Sequence, residues 1–270
     1  MIHPVNANKL QVLHETSGAH VDPDVLRREG KVFFIGGNLP IHSTLETMYE
    51  SYCQESSALF HVTFGAAEMF EHNLEMVRQI KHNFTIRIMG RIGYPLSPEQ
   101  VEQLYLGGLD ILDIPLSNYE SYPDDRDDAD RDRWLTAINA ATFAFSRWSV
   151  VSEITVEHAA PREVRNRINE MLANGVIPLL KPAGEGNLNN LEERMNLYSF
   201  LAAQWHRHQV PLKPIEPLLQ LTTPFDFAES SGFLRGIIDK IRDHRTLATS
   251  DLRRHLRTSG AEASFESAGL

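Results

Sequence analysis

The chain has 270 residues, 42% of them hydrophobic and 23% charged, with a formal net charge of −10. That length suits one α/β barrel and is short for two full-sized domains, and the acidic balance argues against a nucleic-acid partner, whose phosphates reward basic stripes. A single cysteine, Cys53, excludes an internal disulfide, a four-cysteine zinc site and a cysteine-only iron–sulfur cluster.

The opening stretch, MIHPVNANKLQVLHETSG, is polar and lacks the apolar core of a secretory signal. No apolar run approaches the roughly 20 residues needed to span a bilayer. A cytoplasmic protein without membrane contact is expected. Residues 1–30 read as an N-terminal extension, 31–245 as the folded body and 246–270 as a C-terminal tail.

From residue 31 strands and helices alternate. Residues 31–35 (KVFFI) are aromatic and β-branched and end in Gly36-Gly37, as a buried parallel strand does. A helix follows through LETMYESYCQES. Residues 58–63 (ALFHVT) form the second strand, and AAEMFEHNLEMVRQIKHN spaces Met69, Leu74, Val77 and Ile80 close to helical period. Residues 84–89 (FTIRIM) are the third strand. The next helix announces itself: Ser97 as N-cap, Pro98 at the first position, Gln100 completing a capping box. Residues 109–114 form the fourth strand, stopped by Pro115.

SNYESYPDDRDDADRDR reads as a solvated acidic loop, lacking the spacing of a calcium loop. A helix over 134–146, a strand over 150–156, a helix from Pro161 to Gly175 and a strand over 176–180 (VIPLL) come next. LEERMNLYSFLAAQWHRH is a longer helix. Residues 211–216 (PLKPIE) are a poor seventh strand, because two prolines suit only an edge or a terminus. GFLRGIIDKIRDH and residues 250–257 read as helices, and the final TSGAEASFESAGL as disordered.

Six good strands and one poor one, each followed by a helix, predict a single-domain α/β protein. Its expected form is a (β/α) TIM-type barrel, partial or irregular, with six to eight strands. A flat doubly wound sheet is the competitor, weakened because no G-x-G-x-x-G follows the first strand.

Three stretches carry a family resemblance: FGAAEMFEHNLEMVRQIK, LSPEQVEQLYLGGLDILDIPLSNYESY and APREVRNRINEMLANGVIPLLKP. Over about residues 31–185 the chain resembles the biotin-synthase-like branch of the radical S-adenosylmethionine family. The resemblance implies a barrel with a pocket at its mouth and S-adenosylmethionine as a candidate ligand. It departs where that family places three cluster-binding cysteines, since GGNLPIHST stands there. FGAAE likewise replaces the usual glycine-rich clamp. The resemblance therefore implies a degenerate member without an iron–sulfur cluster and without its radical chemistry.

Independently of any family, function in parallel α/β folds sits at the carboxyl ends of the strands. That rule selects Asn38 after the first strand, Thr63 ending the second, Arg91 after the third, Asp113 and Ser117 at the fourth, Glu153 on the fifth and Lys181 after the sixth. These seven are the expected ligand-binding residues. Asp113 stands between Leu112 and Ile114, where an unpaired carboxylate is costly. Lys181 could bind an anion or form a Schiff base. His61 fits a core histidine equally well, Asp110 a residue at the start of its strand, and Cys53 a small packed side chain. Glu157, His158, Glu185 and Glu216 are further rim candidates. His42, His61, Glu153 and His158 could converge on a metal, yet no H-E-x-x-H or H-x-H motif supports them, and no metal is expected.

The leading expectation is a small-molecule-binding barrel. The alternatives are a non-catalytic partner in an enzyme complex, or a metal- or lysine-dependent lyase or hydrolase. A protein partner or a homo-oligomer is compatible with each.

Overall fold

The computed structural model describes residues 4–16, 22–54, 57–117, 128–156, 160–181, 191–227, 251, 252 and 254. Helix α1 (Ala7–Thr16) precedes strand β1 (Leu26–Glu29), which enters a chain of βα units. These run β2 (Val32–Gly36), α2 (Ile41–Gln54), β3 (Leu59–Thr63), α3 (Phe70–Asn83), β4 (Ile88–Arg91), α4 (Pro98–Leu106) and β5 (Ile111–Asp113). They continue with α5 (Asp128–Ala144), β6 (Val150–Ile154), α6 (Pro161–Ala173), β7 (Val176–Leu180), α7 (Leu191–Arg207) and α8 (Glu216–Thr222).

The seven strands form one sheet in chain order, β1 to β7. β2 to β7 pair parallel, while β1 pairs antiparallel with β2. This order settles the competition between barrel and flat sheet. A doubly wound sheet reverses its strand order at a switch point and places helices on both faces. Here the order never reverses, and right-handed crossovers that all step the same way put the described helices that join parallel strands on one side. The fold is a singly wound α/β sheet of barrel type. Among the described residues β7 does not pair back to β1, so the ring is not closed.

β2, β3 and β7 are buried at every position, which explains the unbroken apolar runs of β2 and β7; β3 also buries His61 and Thr63. The capping box foreseen at α4 is present: Ser97 Oγ accepts from the Gln100 amide at 3.2 Å, and Gln100 Oε1 accepts from the Ser97 amide at 2.9 Å.

Several expectations need correction. β1, LRRE, lies within the stretch read as an N-terminal extension; its charged residues carry no apolar signal, as befits an edge strand. The third predicted strand starts later, so Arg91 is the last residue of β4 and does not follow it. The predicted seventh strand is absent. Lys213–Ile215 form a 3-10 turn and Glu216 opens α8, with Pro217 in its first turn, where a missing amide costs nothing. The acidic loop ends earlier than expected, since α5 begins at Asp128. The rest of that loop, Glu157, His158, Glu185 and the helix predicted over 232–244 lie outside the described residues, as does the terminal stretch read as disordered.

Two anchorages fix the body of the fold. At the amino ends of the strands, Asp110 is 8% exposed. Its Oδ2 accepts from the Ile88 amide at 2.9 Å, and its Oδ1 lies 2.8 Å from Arg254 Nη2. Lys81 approaches the same carboxylate at 3.3 Å, and Arg254 also donates to the Leu109 carbonyl at 2.6 Å and lies over the Tyr105 ring. This is a stabilising position. The second anchorage joins the segment before α1 to the segment after α8. Val5 bridges Phe225, with the Asn6 amide on the Pro224 carbonyl at 2.8 Å and the Asp226 amide on the Pro4 carbonyl at 3.2 Å. Phe225 is fully buried and packs edge-on against Tyr198 and Trp205 of α7.

Candidate functional site

Strand register decides which side chains share a face, because residues paired across parallel strands point the same way and neighbours along a strand alternate. Val176 lines a cleft together with Trp134, Ile138 and Asn139 of α5 and Arg167 and Met171 of α6, so it faces the helices. Val150 pairs with Val176, and with it Ser152 and Ile154 face outward. Glu153 therefore points inward, a question the alternation of VVSEITV left open.

Carried across the sheet, the same register gives the interior in layers. Phe34, His61, Met89 and Ile111 pair in sequence and form an apolar floor. The His61 ring tilts against Phe34 at 5.4 Å, which is the core role expected for it. One step toward the carboxyl ends, Thr63, Arg91, Asp113 and Val151 pair in turn. Glu153 lies two residues beyond Val151, and Lys181 two beyond Leu179, the partner of Glu153. Six of the seven predicted residues thus project from one end of the inner face or follow it directly.

Arg91 is the hub. Its Nη1 donates to Asp113 Oδ2 at 2.8 Å and its Nη2 to Glu153 Oε1 at 2.9 Å, with Nη1 also 3.5 Å from Glu153 Oε2. Ser117 Oγ donates to the same Glu153 Oε1 at 2.8 Å. A planar guanidinium forked over two carboxylates is the geometry for which arginine is suited and lysine is not. The Arg91 and Glu153 side chains keep 14% and 15% exposure, while Asp113 keeps 1%. The cluster is buried but open at one end.

Electrostatics separate the two acids. Burial pushes Asp113 up to about 6; Arg91 opposes the shift and Glu153 adds to it. Burial works against Glu153 as well, but its Arg91 pairing outweighs this, aided by Ser117 and by the charge of Lys181, and holds it below the usual carboxylate range. Burial disfavours the Arg91 charge too, yet the two carboxylates overcome it and hold the guanidinium ionised. One acid is thus a fixed anion while its neighbour titrates close to neutrality. Asp113 Oδ1 is buried and has no hydrogen-bond partner among the described residues.

Two tyrosines of this end were not singled out in the sequence. Tyr198 on α7 is buried, its hydroxyl 3.4 Å from the Leu180 carbonyl; burial, with Glu153 nearby, raises its phenol. Tyr94, after β4, is pushed up to about 12 by burial and by Glu68. A tyrosine inside a helix or just after a strand has no spacing signature, so only the fold could bring them forward.

Asn38 stands in the turn after β2, outside the Arg91 cluster, with its Oδ1 also buried and without a hydrogen-bond partner among the described residues. Its Nδ2 donates to Asp24 at 3.0 Å, and its side chain packs so tightly on Gly65 that a Cβ there would sit 1.9 Å from Oδ1. It braces the turn between β2 and α2. The Gly37 amide donates to the Thr63 carbonyl at 2.7 Å and the Asn38 amide to the Pro23 carbonyl at 2.9 Å. Among the described residues no group of three or more His, Cys, Asp and Glu side chains could hold a metal ion, and no helix is long and apolar enough to cross a membrane. The α5–α6 cleft, about 560 Å³, lies on the helical side of the sheet, apart from the Arg91 cluster.

Neither a protein-family model nor a curated protein matches this chain. Among solved structures, a dihydropteroate synthase from Coxiella burnetii, determined in complex with pteroic acid, is similar at 14% identity and a TM-score of 0.34, over 75% of this chain and 89% of that one. So low a score carries no argument about function. The resemblance to the radical S-adenosylmethionine family is corrected, since no family model matches the chain. The turn after β2 gives the physical reason. Residues 37–40 alone join β2 to α2, and they are held down by the backbone bonds to Thr63 and Pro23. A loop that wraps a metal cluster does not fit that connection. Helix–glycine–strand units recur in many barrels, and their recurrence produced the likeness.

Proposed function

We propose that this protein binds a small polar molecule at the carboxyl ends of β4 to β7. Arg91, Asp113, Glu153 and Ser117 form the wall of that site and Lys181 its rim. The observation that carries the reading is the buried Asp113 carboxylate with one oxygen unmatched. An unmade bond to a buried group costs about 1–3 kcal/mol, and more for a charge, so the open valence inside an otherwise paired ion cluster favours a ligand. Sites that bind ligands tolerate such a debt until the ligand arrives. The position agrees with the general rule for parallel α/β folds.

The test is thermal denaturation of the full chain with a panel of amino acids, nucleosides, organic acids and S-adenosylmethionine. A ligand at 100 times its Kd stabilises by about 2.7 kcal/mol. The reading expects at least one such ligand, with the stabilisation lost when Lys181→Ala and Ser117→Ala are combined. Stabilisation that survives in the double variant, or a panel without effect, counts against it.

A further inference from the structure

The valences of the Arg91 cluster state what the ligand must bring, and this inference rests on the site proposed above. Arg91 is engaged by both carboxylates. Glu153 Oε1 accepts from Arg91 and Ser117, and Oε2 lies 3.5 Å from Arg91. Asp113 Oδ2 is taken by Arg91 at 2.8 Å. Within the four-residue cluster, what remains is Asp113 Oδ1, a buried acceptor. Arg91 faces both carboxylates when Asp113 is ionised, and Lys181, whose charge acts on Glu153, stands farther out on the rim. An anion brought against Asp113 Oδ1 would meet an ionised acceptor whose guanidinium partner, Arg91, is already engaged, and would be repelled. A nitrogen carrying a hydrogen would satisfy the open valence and, if cationic, pair with the ionised carboxylate.

We infer that the ligand seats an N–H donor, an amidine, ammonium or amino-substituted heterocycle, on Asp113 Oδ1, and that anionic molecules of equal size are excluded from that position. Lys181, beyond Glu153 on the rim, is the place for any acidic end such a ligand carries. Asp113 is faced by Arg91 from β4 and by Glu153 from β6. Arg91 stays charged and Glu153 stays ionised well into acid, so mild acid changes Asp113 first.

Three ring-sized probes decide the matter on the full chain: benzamidine as a cationic N–H donor, 2-aminopyrimidine as a neutral one, and benzoate as an anion. Titration calorimetry at pH 7.5 is expected to show benzamidine or 2-aminopyrimidine binding and benzoate not. If both donors bind, the neutral N–H suffices; if only benzamidine binds, charge is required. With Asp113 titrating at about 6, some tenth of it is ionised at pH 5, so benzamidine affinity falls about tenfold there. Asp113→Asn, its folding checked by its melting temperature, weakens benzamidine at pH 7.5 by a similar factor. The wild-type pH titration stands as the independent measurement should that variant misfold. Benzoate binding as tightly as benzamidine, with loss in the Lys181→Ala and Ser117→Ala double variant, would keep the site and overturn the nitrogen preference. Benzamidine binding that ignores both pH and Asp113→Asn overturns the inference. No binding by any probe overturns it together with the site.

Discussion

Arg91→Met tests whether the cluster is a coupled unit. Methionine keeps much of the aliphatic stem and removes the guanidinium, leaving Asp113 and Glu153 as two buried acids without their shared cation. Removing one member of a buried ion pair costs about 3–5 kcal/mol, because the abandoned charge has no water to turn to. For a chain of this size that is a fall in melting temperature of roughly 6–20 °C. The pH dependence is the sharper signature. Without Arg91 both acids titrate higher in the folded state than in the unfolded one, so the folded variant binds extra protons in mild acid and loses stability as pH rises. Urea unfolding at pH 8 and pH 5 measures both. The deficit relative to wild type is expected to be several kcal/mol at pH 8 and to shrink by about 1 kcal/mol or more at pH 5, one pKa unit being worth about 1.4 kcal/mol. A deficit under about 1 kcal/mol at pH 8, or one equal at both pH values, would refute the coupling of these three residues.

Four further outcomes follow from the structure. Asp113 is raised from an ordinary value near 3.9 to about 6 on folding, so it subtracts stability as pH climbs through that interval, roughly 3 kcal/mol in all; Glu153 is shifted the other way and acts at lower pH. Asp113→Asn should therefore flatten the fall in melting temperature between pH 5 and pH 7, and an unchanged slope would show that another group causes it. Arg254→Met removes the bonds to the Leu109 carbonyl and Asp110, leaving Asp110 with Lys81 and the Ile88 amide; a loss of about 1–3 kcal/mol in urea unfolding is expected, and a loss below 0.5 kcal/mol, about a surface substitution, would deny the anchorage. Gly65→Ala drives a methyl into Asn38 Oδ1 and should cost about 1–3 kcal/mol, whereas a neutral result would mean that the β2–α2 turn yields freely. Anaerobic reconstitution with iron and sulfide should leave the pure chain colourless, since one cysteine cannot hold a cluster; a stable brown absorbance would contradict this.

The parts of the fold that sequence revealed are those where one force dominates. β2 and β7 bury both faces, so their residues are apolar in a row and stand out. Ser97, Pro98 and Gln100 form α4's start from local chemistry alone. β1 escaped notice because an edge strand of Leu, Arg, Arg and Glu is held by its ladder with β2, which leaves no mark in composition. PLKPIE misled in the opposite direction: its apolar residues suggested a strand, but its prolines and Glu216 suit a turn and a helix start. For the site, the rule of strand ends found Arg91, Asp113, Ser117 and Glu153, and pairing register then brought them into contact. The inward direction of Glu153 could not be read from VVSEITV, because Val, Ser, Thr and Ile on both faces gave no contrast. Asn38 satisfied the same rule of position and serves the turn.

Residues 4–6 and 224–226 touch across nearly the whole length of the polypeptide. A ribosome that has delivered only the strands has delivered an open sheet whose clasp to the amino-terminal segment is not yet made. At about 5–20 residues per second, the more than 40 residues between β7 and that clasp take seconds to emerge. Through that interval the nascent body carries an unfastened seam, and with it an interval in which chaperones and proteases compete for the newborn chain.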